Sequence, residues 1–244
     1  MAFDIVDLQG FYASALGRLA ARGIGRIVAR QWADRAGLSF AGIGYATPYL
    51  EPFRHDCLRT LALMPARQGV VNWPTPGRSS AALIEPTAIP LPTASIDRVL
   101  VVHALEFSEQ PGDMLEEIWR ILTPGGRLMV IAPSRAGLWA RVDTTPFGHG
   151  QPYSRSQLRE LLRENLFSPT FWDEALYAPP FANRLMLRIA PAIERVGDKL
   201  HLPGAGVVLV EASKQLYRPI TVRRAAARPL PQLAEPALAP VRRT

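Results

Sequence analysis

Cysteine is scarce in this sequence of 244 residues, in which Cys57 is the single example. One thiol cannot form a disulfide within the chain, and together with four scattered histidines it cannot build a zinc cluster, so we expect no metal site. No apolar run approaches the ~20 residues of a membrane-spanning helix. The amino-terminal stretch carries Asp4 and Asp7 in place of the apolar segment of a signal peptide. These absences predict a soluble protein of the reducing cytoplasm.

Acidic residues are outnumbered by basic ones, and the net charge is +7. Most of the excess lies near the carboxyl terminus, where residues 218–244 contain six arginines and one glutamate. Because the positive charge belongs to a tail and not to a surface, the interpretation we favour is a disordered, Pro/Ala/Arg-rich segment that aids solubility. Nucleic-acid binding through this tail is the weaker alternative.

The stretch 96–133 has the pattern of a strand, a helix, a glycine turn and a second strand. Residues 99–102 form an apolar run typical of a buried parallel strand. Pro111 suits the first turn of a helix, and the breaker Pro124-Gly125-Gly126 precedes a second apolar run at 128–132. Two buried strands joined by a helix predict a right-handed βαβ unit in an α/β sheet.

With the segments before it, this stretch resembles the class I S-adenosylmethionine-dependent methyltransferases, and most closely their type 11 domains. That family carries an LPF-x-x-x-SFD-x-V stretch, an LEH-like segment and a KPGG turn. The likeness, which covers roughly residues 38–135, implies a Rossmann-like class I methyltransferase fold with a central, mostly parallel seven-stranded sheet flanked by helices. It also implies a last strand inserted antiparallel and S-adenosylmethionine as the cofactor. The matching segments are Ile89-Pro90-Leu91, Ser95–Val99, Leu105-Glu106-Phe107 and Thr123–Gly126.

A glycine loop follows the first expected strand at 38–45. Gly42, Ile43 and Gly44 resemble the first cofactor-binding motif of the family, where glycine lets the backbone turn sharply and lets a ligand approach without a Cβ in the way. The next helix is expected to begin near Thr47 and Pro48, and its positive end would favour the methionine carboxylate of the cofactor.

Two acidic residues of the family pattern are missing, and at a third position glutamate replaces the family's aspartate. Ala41 replaces the acid before the first glycine, and Pro65-Ala66-Arg67-Gln68 follows strand 59–64 without the ribose-binding carboxylate. We expect this second loss to weaken cofactor binding about ten- to a hundredfold. The resemblance assigns Glu85, with Pro86 beside it, to the adenine pocket, since the family has an aspartate there. A solvated glutamate at the end of a strand is the alternative.

His103 follows the fourth strand, where the resemblance places the methyl group of the cofactor and the acceptor. It is the candidate catalytic residue and a candidate cofactor contact, as a general base near neutral pH that Glu106 would orient. The alternative is a histidine that is hydrogen-bonded at a strand end. A base is optional in methyl transfer because the sulfonium already activates the carbon, and alignment in a dry site contributes much.

The ends of the chain extend beyond the resemblance. A predicted helix over 6–36 carries an apolar stripe and has arginines every four residues on another face, with a break into two helices expected at Gly23 or Gly25. Its arginine face is either solvated, or part of a cap over the cofactor or a contact with an anionic surface. The predicted units are a helical extension (1–37), a methyltransferase-like domain (38–217) and the tail (218–244).

The second half of the domain begins with a loop over 134–156. Its glycines, aromatic residues and histidine suit a segment that faces the acceptor. Later elements follow from apolar spacing and from capping residues. They are a helix capped by Ser154 or Ser156, a strand over 170–176, a helix over 181–193 and a strand over 207–211.

The sequence therefore predicts an S-adenosylmethionine-dependent methyltransferase with a small-molecule acceptor. The alternative is a degenerate, non-catalytic binding or regulatory module, which the missing acids at Ala41 and after Met64 favour. No nucleic-acid partner is expected, and a protein partner would contact the amino-terminal helix or the tail. The acceptor stays unnamed because methyltransferase folds share their cofactor logic and differ on the acceptor side.

Overall fold

A computed structural model describes residues 4–200 and 202–216, and the tail predicted over 218–244 lies outside the described residues. Seven strands form one sheet in the order β3-β2-β1-β4-β5-β7-β6. Only β7 runs antiparallel to its neighbours, so the predicted mostly parallel sheet with an inserted last strand is confirmed. The strands are β1 (Ser39–Gly44), β2 (Arg59–Pro65), β3 (Ala81–Ile84), β4 (Ile96–Val102), β5 (Leu122–Pro133), β6 (Phe167–Ala175) and β7 (Val207–Lys214).

Helices cover both faces of the sheet. Alternate residues of β4 belong to two cores: Val99 and Val101 pack with two helices on one face, and Leu100 and Val102 pack with the amino-terminal helices on the other. This division follows from the period of two in a strand. The helices are α1 (Ile5–Ala13), α2 (Ala15–Gln31), α3 (Thr47–Leu50), α4 (Pro111–Ile121), α5 (Arg155–Glu164) and α6 (Arg184–Leu200).

The helix predicted over 6–36 is two helices that meet at Ser14. The Ser14 backbone is extended, and its hydroxyl accepts a hydrogen bond from the Gly17 amide at 3.0 Å, so Ser14 caps α2. The break predicted at Gly23 or Gly25 is wrong, since both glycines lie inside α2. The change of direction at the cap lets α1 fold back over the edge of the sheet.

The helix expected after the glycine loop is a single turn, α3. Thr47 is its first residue and not its cap, because the preceding Ala46 occupies that position without a side-chain hydrogen bond. A helix of four residues aligns too few peptide dipoles to act as a strong anion site. The helix dipole expected to favour a carboxylate here is therefore not supplied.

Three other boundaries differ from the predictions. The strand predicted over 170–176 begins earlier, because buried Phe167 already pairs with Lys214 of β7. The helix predicted over 181–193 is α6, which starts three residues later and continues through Pro191 to Leu200. Ser154, and not Ser156, caps α5, where it forms a capping box with Gln157.

Asp97 explains one motif that carried the family resemblance. Its carboxylate accepts from the Ser39 amide of β1 at 2.9 Å and from the Thr123 hydroxyl at 3.1 Å, so it ties the entry of β4 to both neighbouring strands. Thr123 opens the Pro-Gly-Gly turn, which lies within β5, directly after α4. Gly125 has φ +79°, which glycine adopts without strain.

A buried carboxylate on β7 holds α2 to the sheet. Glu211 accepts hydrogen bonds from the Gln31 amide and the Trp32 indole, both at 2.7 Å. The Arg127 guanidinium lies 3.3 Å from the same side chain and supplies the opposite charge. Because each polar group in this cluster has a partner, the buried charge is compensated.

We expect Glu211→Ala to lower the free energy of unfolding by about 3 kcal/mol, because the buried Trp32 donor loses its acceptor and the Arg127 guanidinium loses its ion pair. Urea denaturation measures the change. Exposed Glu160 on α5 offers a control, and Glu160→Ala should stay within about 0.5 kcal/mol of the wild type. Equal small effects of the two substitutions would contradict a structural role for Glu211.

Candidate functional site

A cavity of about 280 Å³ lies at the carboxyl ends of β2, β3 and β4. Ligands of open α/β sheets bind at this edge. Glu85 and Pro86, both named from the sequence, line the cavity at the end of β3, and Ala104 lines it at the end of β4. We call it the strand-end cavity. Its lining residues are Pro65–Gln68, Glu85–Thr87, Ala104 and Phe107–Gln110.

Gln68 occupies the segment in which the sequence lacks the family's carboxylate. Its side chain is buried, its amide nitrogen donates to the His103 carbonyl, and its Oε1 atom has no partner among the described residues. A buried acceptor without a donor is costly, so Oε1 of Gln68 is a candidate partner for a hydroxyl donor. Arg67 and Glu109 form an exposed ion pair on the rim of the same cavity.

His103 is fully buried and has φ +53°, a left-handed conformation that is unfavourable for a residue with a Cβ. Its Nδ1 atom lies 3.1 Å from Oε1 of Glu106, so the contact expected between these two residues is present. Its Nε2 atom lies 2.9 Å from the Tyr12 hydroxyl, which comes from α1. The strained backbone is thus held by side-chain contacts on both sides of the ring.

These contacts form a hydrogen-bonded chain of four side chains. When Nδ1 of His103 carries the proton, it donates to Glu106, and Nε2 then accepts from the Tyr12 hydroxyl. The Tyr12 oxygen, 2.8 Å from the Tyr49 hydroxyl, then accepts from that group. Burial raises the pKa of Tyr12 well above its usual value and also raises the pKa of Tyr49, so both phenols keep their protons.

The amino-terminal helix α1 lies over the glycine loop. The Ile5 amide donates to the Gln68 carbonyl at 2.8 Å, and the Tyr12 ring packs on Tyr45 with centroids 5.3 Å apart. Phe11 of the same helix contacts Phe147 edge-on at 6.1 Å. The end of the sheet beside the glycine loop is therefore filled with aromatic side chains.

The glycines of this loop serve close packing of the chain. A Cβ on Gly42 would lie 2.5 Å from the Ala46 Cβ, and one on Gly44 would lie 2.0 Å from the Val102 carbonyl. Gly44 also has φ +84°, which favours glycine. Gly42, Ile43 and Gly44 are buried and do not line the strand-end cavity.

The candidate residues from the sequence therefore fall into two groups. Glu85 and Pro86 line the strand-end cavity, whereas His103 and the glycine loop lie buried behind Ala104.

Sequence reasoning missed Tyr12, Tyr45, Tyr49 and Gln68. Tyr45 and Tyr49 directly follow the glycine motif, and that concentration of tyrosine is a usable signal. The contact of Tyr12 with His103 spans 91 residues and leaves no local pattern.

A second opening, which we call the helix–loop groove, lies on the other side of His103. Its volume is about 750 Å³, and it runs between the α1–α2 junction and the loops after β5 and β6. Phe11 lines the groove and contacts Phe147, whose ring centre is 4.7 Å from that of His103. The predicted acceptor-facing loop contributes Val142 and Thr144 to the lining. His103 thus lies in the wall between the two openings.

The two buried phenols predict alkaline sensitivity. Above pH ~10 the tyrosines of the unfolded chain ionise, while Tyr12 and Tyr49 keep their protons in the folded state. The unfolded state then binds fewer protons, so the free energy of unfolding falls as pH rises through this range.

Tyr49→Phe keeps the ring and removes one of these groups. We expect its free energy of unfolding to fall above pH ~10 less steeply than that of the wild type, by up to about 1.4 kcal/mol per pH unit. Urea denaturation at a series of pH values from neutral to alkaline gives both slopes. Parallel curves for the two proteins would contradict the assignment.

Comparison with known proteins finds a family match over part of the chain. Residues 41–130 match the family described as "Methyltransferase domain". A demethylmenaquinone methyltransferase of Deinococcus radiodurans is 32% identical over 99 residues, and the match spans 40% of this chain and 39% of that protein's length.

Solved structures share the fold over a larger part of the chain. A possible histamine N-methyltransferase of Thermotoga maritima superposes with a TM-score of 0.57 at 17% identity, covering 85% of this chain and 94% of that one. A didemethyltoxoflavin N1-methyltransferase of Burkholderia thailandensis, solved with S-adenosylhomocysteine bound, gives 0.51 at 14% identity over 82% of this chain and 78% of that one. The family match over residues 41–130 and the fold shared with solved methyltransferases both support a class I methyltransferase domain in this chain.

Proposed function

We propose that the protein transfers a methyl group from S-adenosylmethionine to a small-molecule acceptor. The observation that carries the proposal is the strand-end cavity, with Glu85 and the unpaired Gln68 acceptor at the edge of a methyltransferase sheet. The Burkholderia relative binds S-adenosylhomocysteine, which supports the same cofactor class here.

The residues present fit the nucleoside half of this cofactor. Glu85 supplies a carboxylate that can accept from an exocyclic amine, and Gln68 Oε1 supplies a neutral acceptor for a ribose hydroxyl. One neutral acceptor is weaker than the two charged acceptors of a carboxylate, so we expect modest affinity. When bound, the cofactor supplies a methyl carbon already activated by its sulfonium.

The amino-acid half of the cofactor requires a change in α1. Tyr12 and Tyr45 fill the space beside the glycine loop in the described conformation. Withdrawal of Tyr12 would open that space and would also free Nε2 of His103, which the Tyr12 hydroxyl now contacts. In this proposal α1 acts as a cap, and Glu106 keeps the His103 ring oriented while the cap moves.

The acceptor is proposed to bind in the helix–loop groove. The groove is lined by apolar side chains, including Phe11 and Phe181, and by the polar side chains of Asp7, Ser14, Thr144 and Asn183. Such a lining suits a partly apolar small molecule that is oriented by a few hydrogen bonds. Phe11 and Phe147 form the wall between the groove and His103, so they would exclude water from the point where donor and acceptor meet.

Glu85→Gln is expected to weaken S-adenosylhomocysteine binding about tenfold, because a neutral amide replaces the charged acceptor at the adenine end. Isothermal titration calorimetry of the full chain measures the dissociation constant. Glu160→Gln makes the same chemical change on exposed α5 and serves as the control. Unchanged affinity in Glu85→Gln would remove Glu85 from the site.

Tyr12→Ala is expected to bind S-adenosylhomocysteine more tightly than the wild type, while its free energy of unfolding falls by about 3 kcal/mol. The loss of the ring opens the amino-acid end of the site, and the binding no longer has to displace Tyr12. Calorimetry and urea denaturation on the same samples give both quantities.

Leu8→Ala provides the matched control for this variant, because Leu8 is a fully buried residue of the same helix. It should lose similar stability without a gain in affinity. A gain of equal size in Leu8→Ala would show that general loosening of α1, and not the Tyr12 ring, controls access.

A non-catalytic nucleoside-binding module is the second candidate function. The filled space around Tyr12 favours it, because the strand-end cavity alone has room beside Glu85 and Gln68 at about 280 Å³. The two functions differ in what they recognise. An enzyme that uses the whole cofactor binds S-adenosylhomocysteine at least about tenfold more tightly than adenosine, whereas the module binds the two equally.

A further inference from the structure

Helix α6 carries a stripe of exposed apolar side chains along its outer face. Leu185, Ile189, Val196 and Leu200 recur at spacings of four or seven residues, which places them on one side of a helix. Ala192 lies between them and is also exposed. The exposed fractions are 68% for Leu185, 40% for Ile189, 50% for Val196 and 66% for Leu200.

This stripe is part of a cluster of exposed apolar side chains in the described residues. Phe181, before the helix, and Leu202, after it, are 55% and 40% exposed. Half of the strongly exposed large apolar side chains in residues 4–200 and 202–216 therefore fall within 181–202. Clustering of this kind marks an interaction surface, whereas single exposed apolar residues do not.

The opposite face of α6 is already packed. Ala190 belongs to a small core with Leu19 of α2 and Ala178. The buried Glu194 carboxylate accepts from the Leu176 amide at 3.1 Å and from the Ala178 amide at 2.9 Å. The helix is therefore anchored through its inner face, and the outer stripe faces away from the core.

Cations accompany the stripe. Arg184, Arg188, Arg195 and Lys199 are all exposed on α6, and at 100° per residue Arg188 and Lys199 lie within about 60° of Leu185. The acidic residues of the helix lie elsewhere: Glu194 is on the packed face, and Asp198 lines a pocket with Tyr177 and Glu194. An apolar stripe with basic residues along one side, and without acids beside it, complements a surface that is apolar beneath and anionic above.

We propose that α6 lies in the interface of an anionic lipid bilayer, with its apolar stripe among the acyl chains and its cations at the headgroups. No helix in the described part of the chain is long and apolar enough to cross a bilayer, so the contact is with the surface. The proposal is independent of methyl transfer. Phe181 belongs both to this surface and to the lining of the helix–loop groove, so the groove would open where the protein meets the lipid.

Vesicle co-sedimentation of the full chain tests the proposal, with phosphatidylcholine vesicles compared with vesicles that also contain phosphatidylglycerol. We expect binding to the mixed vesicles and little to the neutral ones. Leu185→Ser and Leu200→Ser should each weaken binding about tenfold. Arg188→Gln and Lys199→Gln should each weaken it about fivefold, and only when the anionic lipid is present.

Matched controls isolate the helix from the rest of the chain. Leu58 is 68% exposed, as Leu185 is, so Leu58→Ser should leave binding unchanged; Arg78→Gln is the charge control on an exposed loop residue. All variants keep the same basic carboxyl terminus, so differences between them report on α6. Equal effects of Leu58→Ser and Leu185→Ser, or equal binding to both kinds of vesicle, would overturn the proposal. It would also fall if sedimentation equilibrium showed a dimer that Leu185→Ser dissociates, without vesicle binding.

Discussion

The hydrogen-bonded chain from Glu106 through His103 and Tyr12 to Tyr49 controls the geometry of the candidate site. Tyr12, Tyr49 and His103 are buried, so each polar group must find its partner within the protein or leave a costly unpaired atom. The chain joins the end of β4, the turn after β1 and the amino-terminal helix, three parts of the sequence with no local relation. It also holds His103 in a left-handed conformation that its Cβ opposes. Because Tyr12 lies in the middle of this chain, a movement of α1 would change the hydrogen bonds of His103 and Tyr49.

That coupling divides the functional edge of the sheet. In the proposed function the strand-end cavity would hold a nucleoside beside Glu85 and Gln68 on one side, and the helix–loop groove would hold an acceptor on the other. Between them lie His103 and the aromatic side chains that α1 brings in. A site in which two molecules react away from water needs a wall that opens for binding and closes for the reaction. The amphipathic α6 borders the groove, so chemistry and surface attachment would occur at the same end of the molecule.

Much of the sheet could be predicted from the sequence because each inner strand is buried on both faces and reads as an apolar run. The apolar runs at 99–102 and 128–132 predicted β4 and β5. The contact between Glu106 and His103 could also be predicted, because the two are only three residues apart. The break of the first helix at Ser14 was missed, since a serine cap inside an amphipathic pattern competes with two more visible glycines. The length of α3 was missed for a similar reason: Thr47 and Pro48 read as a good start, and nothing local signals that the helix ends one turn later.

The sequence by itself determined the class of fold, the strand positions and the residues at the strand ends, because burial, periodicity and turn chemistry act between near neighbours. It also showed that the ribose-binding carboxylate after Met64 is missing. Only the tertiary structure decided that Gln68 places an unpaired acceptor at that position, that Gly42 and Gly44 serve packing against Ala46 and Val102, and that Tyr12 reaches His103. Those relations depend on side chains that fold together from distant segments, and no local pattern records which of them will meet.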